Sequence, residues 1–295
     1  MDRSNQGLPT ALVVGPQRAG TTWIHNYLLQ RGDICLPRGV KETFFFDERY
    51  HKGCGWYTHH FRRKPHHSAV VEVGPTYFHS AAAAARIRDT LPGARVICVL
   101  RDPAERAFSL WLHLRRYGQT TVGFREAFLT VPILRDSSRY ATSLRLWTDQ
   151  NGGGRVTTLF MSLLKTDRDN YCRRLCEGIG VPFSKPASEF DQRVNAASRP
   201  RVQWLANTAQ WAANRLRDRR CYGIINAAKK LGAKGLIMGS PALLKDTTLK
   251  HADRLWVYDR LASEIDELRE LLHDPKEMSE WGPHRADQTD ADRAA

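Results

Sequence analysis

The 295-residue sequence has no apolar run long enough to cross a membrane, and its cysteines are few and scattered. A spanning helix needs about 20 consecutive apolar residues, and the first ten residues, MDRSNQGLPT, lack the apolar core of a secretory signal. The six cysteines form no CxxC pair, which argues against a structural zinc site. We therefore expect a cytoplasmic protein with reduced thiols.

Acidic residues are also in short supply, since 45 Lys and Arg oppose 31 Asp and Glu and leave a net charge of +14. Arginine accounts for 34 of the 45, and its guanidinium favours bidentate contacts with phosphate, sulfate and carboxylate. Paired zinc ligands and RNP aromatics, the signatures of common nucleic-acid-binding modules, are missing. An anionic small molecule, or an acidic acceptor or carrier protein, is therefore favoured over nucleic acid as the partner.

The composition is that of one ordinary globular unit. Hydrophobic residues make up 42% of the chain and charged residues 26%. Because no repeat or second boundary is visible, we expect a single α/β domain over residues 1–283. The polar end, residues 284–295, is expected to be disordered. The sequence leaves the oligomeric state open.

The stretch Leu12–Trp23, LVVGPQRAGTTW, has the pattern of a buried strand, a glycine-bounded turn and a helix N-terminus. Such a turn presents backbone N–H groups and the positive end of a helix dipole to an anion. Its glycine spacing is that of a P-loop, but Thr21 and Thr22 stand where a nucleoside triphosphatase has Lys-Ser/Thr. With Arg18 as its single cation, the loop suits a terminal phosphate or sulfate better than magnesium-bound ATP.

A second anion-binding pattern, RDPAERAFSLW, follows the strand predicted at residues 95–100. Asp102 is a good N-cap and Pro103 a good first residue for the next helix. The apolar face of this helix is predicted to pack on the sheet, with Arg106 and Ser109 on its polar side. Because ligands of open α/β sheets bind beyond the carboxyl ends of the strands, we expect both patterns to face one crevice.

Together these stretches resemble the sulfotransferases that use 3′-phosphoadenosine 5′-phosphosulfate (PAPS), especially the carbohydrate or heparan sulfate type. The resemblance covers most of residues 10–182 and implies a three-layer, P-loop-like α/β fold, with a central parallel sheet flanked by helices. In that family the first turn binds the 5′-phosphosulfate, while an arginine and a serine, here Arg101 and Ser109, hold the 3′-phosphate. The nucleotide-binding set thus implied is Gly15, Arg18, Ala19, Gly20, Thr21, Thr22, Trp23, Arg101, Ser109, Arg199 and Arg201.

Three members of that set have an open alternative. Arg199 and Arg201 match loosely the basic loop that closes over the nucleotide in related enzymes, and equally a basic lead-in to the helix predicted at 203–218. Trp23 lies where it could touch a base, although its spacing also fits packing against the sheet.

A Lys-Glu pair followed by aromatics, at Lys41–Asp47 (KETFFFD), also resembles the carbohydrate-acting members, in which the glutamate is the general base. The resemblance implies that Glu42 takes the acceptor proton, with Lys41 and Arg18 as catalytic cations. Without the neighbouring motifs, the pair would be interpreted as a surface ion pair beside an aromatic anchor. If Glu42 is not the base, a histidine takes its place, the candidates being His25, His59 and His60.

The chain departs from the family at the end of the second predicted strand, residues 69–73. Val73 and Gly74 stand where the family commonly has a lysine that contacts the sulfuryl group. Arg18 or Lys41 would then cover its task. The resemblance also makes Tyr77 and Tyr140 candidates for binding the acceptor substrate.

The remaining pattern predicts a fourth strand and several helices. The strand is expected at 156–160, and the helices at 80–91, 103–114, 124–129, 140–150, 166–178 and 253–272. Trp281 is expected to anchor the chain beyond the last helix.

The expected function is in-line sulfuryl transfer from PAPS to an acceptor hydroxyl of a sugar, a glycosylated natural product or a lipid, without a metal. A P-loop kinase or GTPase is the first alternative, but it would need a Lys-Ser/Thr pair after Gly20 and a magnesium-binding Asp at a strand end. Neither is found. A basic, non-catalytic protein that binds nucleic acid or an acidic partner is the second alternative.

Overall fold

The computed structural model describes residues 7–186 and 248–282, together with 199–200, 215–216, 218–219, 222–223 and 238–239. Five parallel strands form the central sheet in the order β2-β3-β1-β4-β5. They are β1 Ala11–Gly15, β2 Ile34–Cys35, β3 Ala69–Val73, β4 Arg95–Leu100 and β5 Val156–Phe160. The four strands predicted from apolar runs are therefore present, and β2 adds a short edge that the sequence pattern did not indicate.

Helices of 4 to 14 residues connect and cover the strands. They are α1 Thr21–Gln30, α2 Cys54–Thr58, α3 Ala81–Thr90, α4 Pro103–Arg116, α5 Phe124–Thr130, α6 Pro132–Asp136, α7 Tyr140–Asn151, α8 Leu163–Thr166, α9 Arg168–Ile179, α10 His251–Arg260 and α11 Ala262–Leu271. A π-helical turn at Phe45–Arg49 lies within the segment between β2 and α2.

The sheet lies between two hydrophobic cores, which confirms the three-layer prediction. Leu12 and Val14 of β1 belong to the core formed with α3, α4, α7, α10 and α11. Ala11 and Val13 point the other way, into the core formed with α1 and α9. Because helices cover both faces, the inner strands are mainly apolar instead of alternating, and Glu72 of β3 is a buried exception.

Helix α4 begins as the sequence predicts, since the Asp102 side chain accepts a hydrogen bond from the Glu105 backbone N–H at 2.7 Å. One prediction for this helix is wrong. Arg106, placed on the polar side from its spacing, is completely buried and donates to the carbonyl of Leu134 at 3.0 Å and to the hydroxyl of Ser138. The neighbouring α6–α7 segment covers this side of α4, and helical periodicity alone does not report such a neighbour.

The helix predicted at 166–178 is present as α9, which begins after Asp167 because the Asp167 side chain accepts from the Asn170 N–H and caps it. Another predicted helix is divided in two. The stretch 253–272 breaks at Leu261, which has φ −111° and ψ 13°. Both pieces of the latter pack on the same core, so one apolar stripe runs through them and hides the break.

Two further expectations from the sequence concern Trp281 and the cysteines. Trp281 is buried against Tyr140 and Phe160. The five described cysteines are free thiols, four of them buried. Among the described residues, no helix combines the length and apolarity that crossing a membrane requires.

The strand order creates a crevice at the carboxyl ends of β1 and β4. These strands are neighbours, but the chain leaves β1 towards β2 and β3 on one side and leaves β4 towards β5 on the other. Such a reversal opens a cleft between the two outgoing connections, where open α/β sheets bind their ligands. The two anion-binding patterns of the sequence are those two connections.

Candidate active site

The turn after β1 is shaped by its backbone. Gly15 has φ +105°, and a Cβ there would lie 2.5 Å from the carbonyl oxygen of Pro75, so only glycine fits. Arg18 and Gly20 also have positive φ, 69° and 88°. Gly20 caps α1 without any side-chain hydrogen bond. The first N–H groups of α1 are therefore left for a ligand, as in other anion-binding helix N-termini.

Side-chain hydrogen bonds join this turn to the one after β4. The Arg18 Nε donates to the Ser109 hydroxyl at 3.0 Å, and the Arg101 Nη1 donates to the Arg18 carbonyl at 3.2 Å. The predicted binding groups for the two ends of the nucleotide thus lie in contact. One ligand carrying an anionic group at each end can reach both.

The centre of this contact is strongly cationic. Burial, and then the charges of Arg101 and Arg116, lower the pKa of the Arg18 guanidinium. Burial and the charges of Arg18 and Arg116 likewise lower the pKa of His113 to about 4. Like charges gathered in a partly buried place favour an anion between them. The residues present therefore fit a nucleotide phosphate.

His113 and Arg116 were not predicted from the sequence. They follow Ser109 by four and seven residues, so all three lie on one side of α4. That spacing was the available signal. It extends the polar side beyond the recognised motif by two helical turns, where Arg116 adds a further positive charge.

A network from the C-terminal part of the chain holds the second turn. The Arg101 Nη2 donates to one Glu105 oxygen at 3.0 Å, and the Arg254 Nη2 donates to the other at 3.1 Å. Arg254 also donates to Asp102 at 2.8 Å, and the hydroxyl of Tyr258 donates to the same oxygen. The sequence offered no sign of this link, because α10 lies about 150 residues beyond the motif.

The Lys41–Glu42 pair lies at the first turn. The Lys41 ammonium donates to the Thr22 hydroxyl at 3.3 Å and to a Glu42 carboxylate oxygen at 2.8 Å. The two side chains are 25% and 19% exposed, so each is partly covered but open to a substrate. The structure therefore brings the three predicted catalytic residues, Arg18, Lys41 and Glu42, to one turn.

Of the alternative bases, His25 is buried and lies close enough to Lys41 to feel its charge. Burial and the nearby Lys41 charge lower its pKa to about 4, so the imidazole is neutral near pH 7. His60 is buried, with its Nδ1 at 3.0 Å from the Trp56 carbonyl and its Nε2 at 2.6 Å from the Tyr222 hydroxyl. His59 is exposed.

The two predicted substrate-binding tyrosines are buried, and their hydroxyls are engaged within the protein. The Tyr77 hydroxyl donates to Glu72 and accepts from the Phe45 N–H, each near 3 Å. The Tyr140 hydroxyl donates to the Arg101 carbonyl at 2.9 Å. Their contacts give no support to acceptor binding; Tyr140 instead holds the backbone of the second turn.

Three other predicted binding residues have varied surroundings. Trp23 is half-buried and stacks on Tyr27 with ring centroids 5.6 Å apart, and Ala19 is completely buried in the core. The backbone at Arg199 pairs with Gly239 in a short antiparallel ladder. Arg201 and most of the helix predicted at 203–218 lie outside the described residues, as does the tail at 284–295.

A cavity of about 700 Å³ lies beyond the carboxyl ends of β4 and β5. Its lining includes Arg101 and Glu105 of the second turn, Met161 after β5 and Arg254 of α10. No residue of the first turn lines it, so it adjoins the contact between the turns without filling it. Within the described part of the chain, no three His, Cys, Asp or Glu side chains gather as a metal site would require.

Comparison with known proteins identifies the family. The family model described as "Sulfotransferase domain" matches residues 8–209, which is more than half of the sequence. The chain belongs to the sulfotransferase domain family. This confirms the resemblance drawn from the two anion-binding motifs.

Among curated proteins, this sulfotransferase-family chain is similar to enzymes named bifunctional heparan sulfate N-deacetylase/N-sulfotransferases. It is 36% identical over 117 residues to enzyme 4 of Mus musculus, which is 37% of this chain and 13% of that protein. It is 27% identical over 194 residues to enzyme 1 of Xenopus tropicalis, which is 59% of this chain and 22% of that protein. The chain thus spans less than a quarter of the length of these relatives.

Among solved structures, the sulfotransferase from Alicyclobacillus acidocaldarius resembles this chain with a TM-score of 0.63 and 20% identity. The match covers 91% of this chain and 97% of that one. At this identity the likeness establishes the fold, and it agrees with the sheet order and layers described above.

Proposed function

We propose that this protein transfers the sulfuryl group of PAPS to a hydroxyl or amine of an acceptor molecule. The observation that carries the proposal is the contact between the two turns, Arg18 to Ser109 and Arg101 to the Arg18 carbonyl. PAPS has anionic groups at both ends of its ribose, and this arrangement offers a binding group for each. ATP lacks the 3′-phosphate that Arg101 and Ser109 would hold.

In this proposal the first turn binds the end of the nucleotide that reacts. Thr21, Thr22 and the N–H groups of α1 hold the 5′-phosphosulfate, and Arg18 and Lys41 face the oxygen that becomes the leaving group. A cation about 4 Å from that oxygen gains roughly 4 kcal/mol at an effective dielectric near 20, against about 1 kcal/mol in water. Partial burial of Lys41 and Arg18 therefore strengthens their effect on the growing charge.

The transfer exchanges one bond to sulfur for another. The bond from sulfur to the bridging phosphate oxygen breaks, and a bond from sulfur to the acceptor oxygen or nitrogen forms in line with it. The acceptor proton passes to the Glu42 carboxylate, and the electron pair of the broken bond stays on adenosine 3′,5′-bisphosphate. Positioning and charge stabilisation would supply most of the rate enhancement, as in phosphoryl transfer.

Lys41 would replace the strand-end lysine that is absent at Val73. Its ammonium already bridges the Thr22 hydroxyl of the first turn and the Glu42 carboxylate. A lysine in this place can contact the transferring group and hold the Glu42 carboxylate beside the first turn at once.

For the acceptor we propose a carbohydrate, because the curated relatives are named for sulfating heparan sulfate. Glycosylated natural products and lipids also carry hydroxyl groups that the same chemistry could sulfate. The net charge of +14 also supports an acidic acceptor or an acidic carrier protein. We further propose that the reaction needs no metal and that the protein works in the cytoplasm.

Calorimetric titration separates this proposal from its alternatives. We expect tight binding of adenosine 3′,5′-bisphosphate and much weaker binding of ATP with magnesium. The reverse order would contradict the proposal and favour a P-loop kinase. Binding of neither would leave a basic protein without nucleotide chemistry.

Activity is tested with PAPS labelled in its sulfuryl group and a panel of acceptors. The panel holds oligosaccharides with hydroxyls only, oligosaccharides with free amines, and simple phenols. Transfer to a sugar supports the carbohydrate assignment, and transfer to phenols alone would contradict it. Chelating metal ions beforehand should leave the rate unchanged.

A further inference from the structure

The carboxylate of Glu72 takes no part in the chemistry above, yet it is bound directly to the segment that carries the proposed base. Glu72 lies near the end of β3 with no exposed surface. Its Oε1 accepts from the Thr43 backbone N–H and the Tyr77 hydroxyl, both at 3.1 Å, and from the Thr43 hydroxyl. Its Oε2 accepts from the Tyr57 hydroxyl at 2.6 Å.

All four of these donors are neutral groups that point at the two carboxylate oxygens. Burial raises the pKa of Glu72, and its hydrogen bonds to Thr43, Tyr57 and Tyr77 oppose that shift. Burial and the Glu72 charge raise the pKa of both tyrosines well above the ordinary value, so they stay protonated as donors. An amide in place of the carboxylate has no charge and only one acceptor oxygen, so the Tyr57 hydroxyl would have to turn and accept from the NH2 group.

This network fixes the chain immediately beyond Glu42. Thr43 contributes both its N–H and its hydroxyl to Glu72. The Phe45 N–H, two residues on, donates to the Tyr77 hydroxyl at 3.0 Å and to the Thr43 hydroxyl at 3.1 Å. Phe44 between them has φ +55°, a left-handed conformation that a bulky side chain adopts only when its surroundings impose it.

We propose that Glu72 is a positioning residue that holds the Lys41–Glu42 pair at the first turn by fixing Thr43. A buried carboxylate with four neutral donors is costly to keep in an apolar core, and anchoring one short segment is its visible effect. A misplacement of about 1 Å can cost roughly 100-fold in rate. The inference rests on the proposed function, because it takes Glu42 to be the base.

The test compares Glu72→Gln with the unaltered protein. We expect kcat for sulfuryl transfer to the best panel acceptor to fall about tenfold or more, while the affinity for adenosine 3′,5′-bisphosphate stays within about twofold. Trp147→Phe is the control, since it also removes a buried hydrogen bond, from Trp147 to the Phe78 carbonyl. It should lower stability while leaving kcat unchanged.

A double mutant distinguishes positioning from a merely structural role. If Glu72 acts through Glu42, the variant carrying both Glu42→Gln and Glu72→Gln should be about as slow as Glu42→Gln alone. Rate losses that multiply would show an independent effect and overturn the proposal. Unchanged kcat in Glu72→Gln would overturn it as well.

Two further results keep this test separate from that of the proposed function. Normal turnover in Glu42→Gln would contradict the base itself, whereas loss there with normal turnover in Glu72→Gln contradicts only the positioning role. If Glu72→Gln fails to fold, Tyr57→Phe removes just the contact to Oε2. A several-fold lower kcat supports the inference, and an unchanged kcat overturns it.

Discussion

The two turns that meet at the candidate site are built in opposite ways. The turn after β1 depends on backbone conformation, with positive φ at Gly15, Arg18 and Gly20 and no side-chain cap on α1. The turn after β4 depends on side chains, with Arg101 held by Glu105 and Tyr140 holding its backbone. The first turn is thus local in the sequence, and the second is assembled from distant parts.

Because of this difference, the two turns should be sensitive to substitutions in different parts of the chain. A local turn is disturbed by changes at its own glycines, while a turn built from a network is disturbed by changes far along the chain. Arg254 of α10 is the clearest distant contributor, since it binds both Asp102 and Glu105. The substitutions below break the comparison at successive points, from the largest expected effect to the smallest, and a change of pH then tests both turns together.

The largest effect is expected at Glu42, which belongs to neither turn but faces the first. Glu42→Gln keeps the shape and removes the proton acceptor, so kcat should fall by about 10²–10⁴. Affinity for adenosine 3′,5′-bisphosphate should change little, because both turns remain intact. Transfer kinetics and calorimetry measure the two quantities, and normal turnover would move the base role to a histidine, with His25 first.

Next in size is Gly15→Ala, which breaks the local turn. The added Cβ would lie within 3 Å of the Pro75 backbone at a φ that alanine avoids. We expect a loss of about 3 kcal/mol in the free energy of unfolding. Urea denaturation measures it, with Gly32→Ala as the control, because a Cβ at Gly32 meets nothing within 4 Å.

Arg254→Ala breaks the distant support of the second turn alone. It frees Glu105 and Asp102 from a cation that is 28% exposed, so we expect a loss of about 1–2 kcal/mol in stability. Affinity for adenosine 3′,5′-bisphosphate should fall several-fold, since the Arg101 charge is then opposed by an unshared carboxylate. Asp259→Asn, a substitution on the exposed side of the same helix, should change neither quantity.

A change of pH acts on both turns together, through one histidine near each. The pKa values of His25 and His113 are about 4 in the folded protein, against about 6.5 when unfolded. Between these values the unfolded chain binds more protons, so this contribution to stability is lost as pH falls from about 6.5 to 4. Urea unfolding at several pH values measures the slope, and His25→Gln or His113→Gln should each reduce it.

What the sequence could predict follows the same division. Four of the five strands, α1, the Asp102 cap and the first turn are local patterns, and each was found where glycine spacing, apolar runs or capping residues indicated it. The burial of Arg106, the break at Leu261 and the Arg254 contact depend on which segments become neighbours in space. Periodicity carries no information on those neighbours, and this is why these features went unpredicted.

Single residues of the site show the same contrast between local sequence patterns and contacts that only the fold creates. Lys41 and Glu42 were recognised from a short motif, but the Glu72 carboxylate that binds Thr43 sits inside an ordinary apolar strand. Tyr77 was a candidate for binding the substrate on the family resemblance, and its hydroxyl donates to Glu72 instead. A residue type and its spacing suggest chemistry, while the partner that uses the side chain is decided by the fold.

The most direct test of the account is the preference for adenosine 3′,5′-bisphosphate over adenosine 5′-monophosphate, measured by calorimetry before and after Arg101→Ala. The two ligands differ only in the 3′-phosphate, and a charge-assisted contact to it should contribute roughly 1.5–3 kcal/mol. We predict a preference of about tenfold or more that falls close to one in Arg101→Ala, with the monophosphate affinity nearly unchanged. A preference that survives the substitution would contradict a single nucleotide held by both turns.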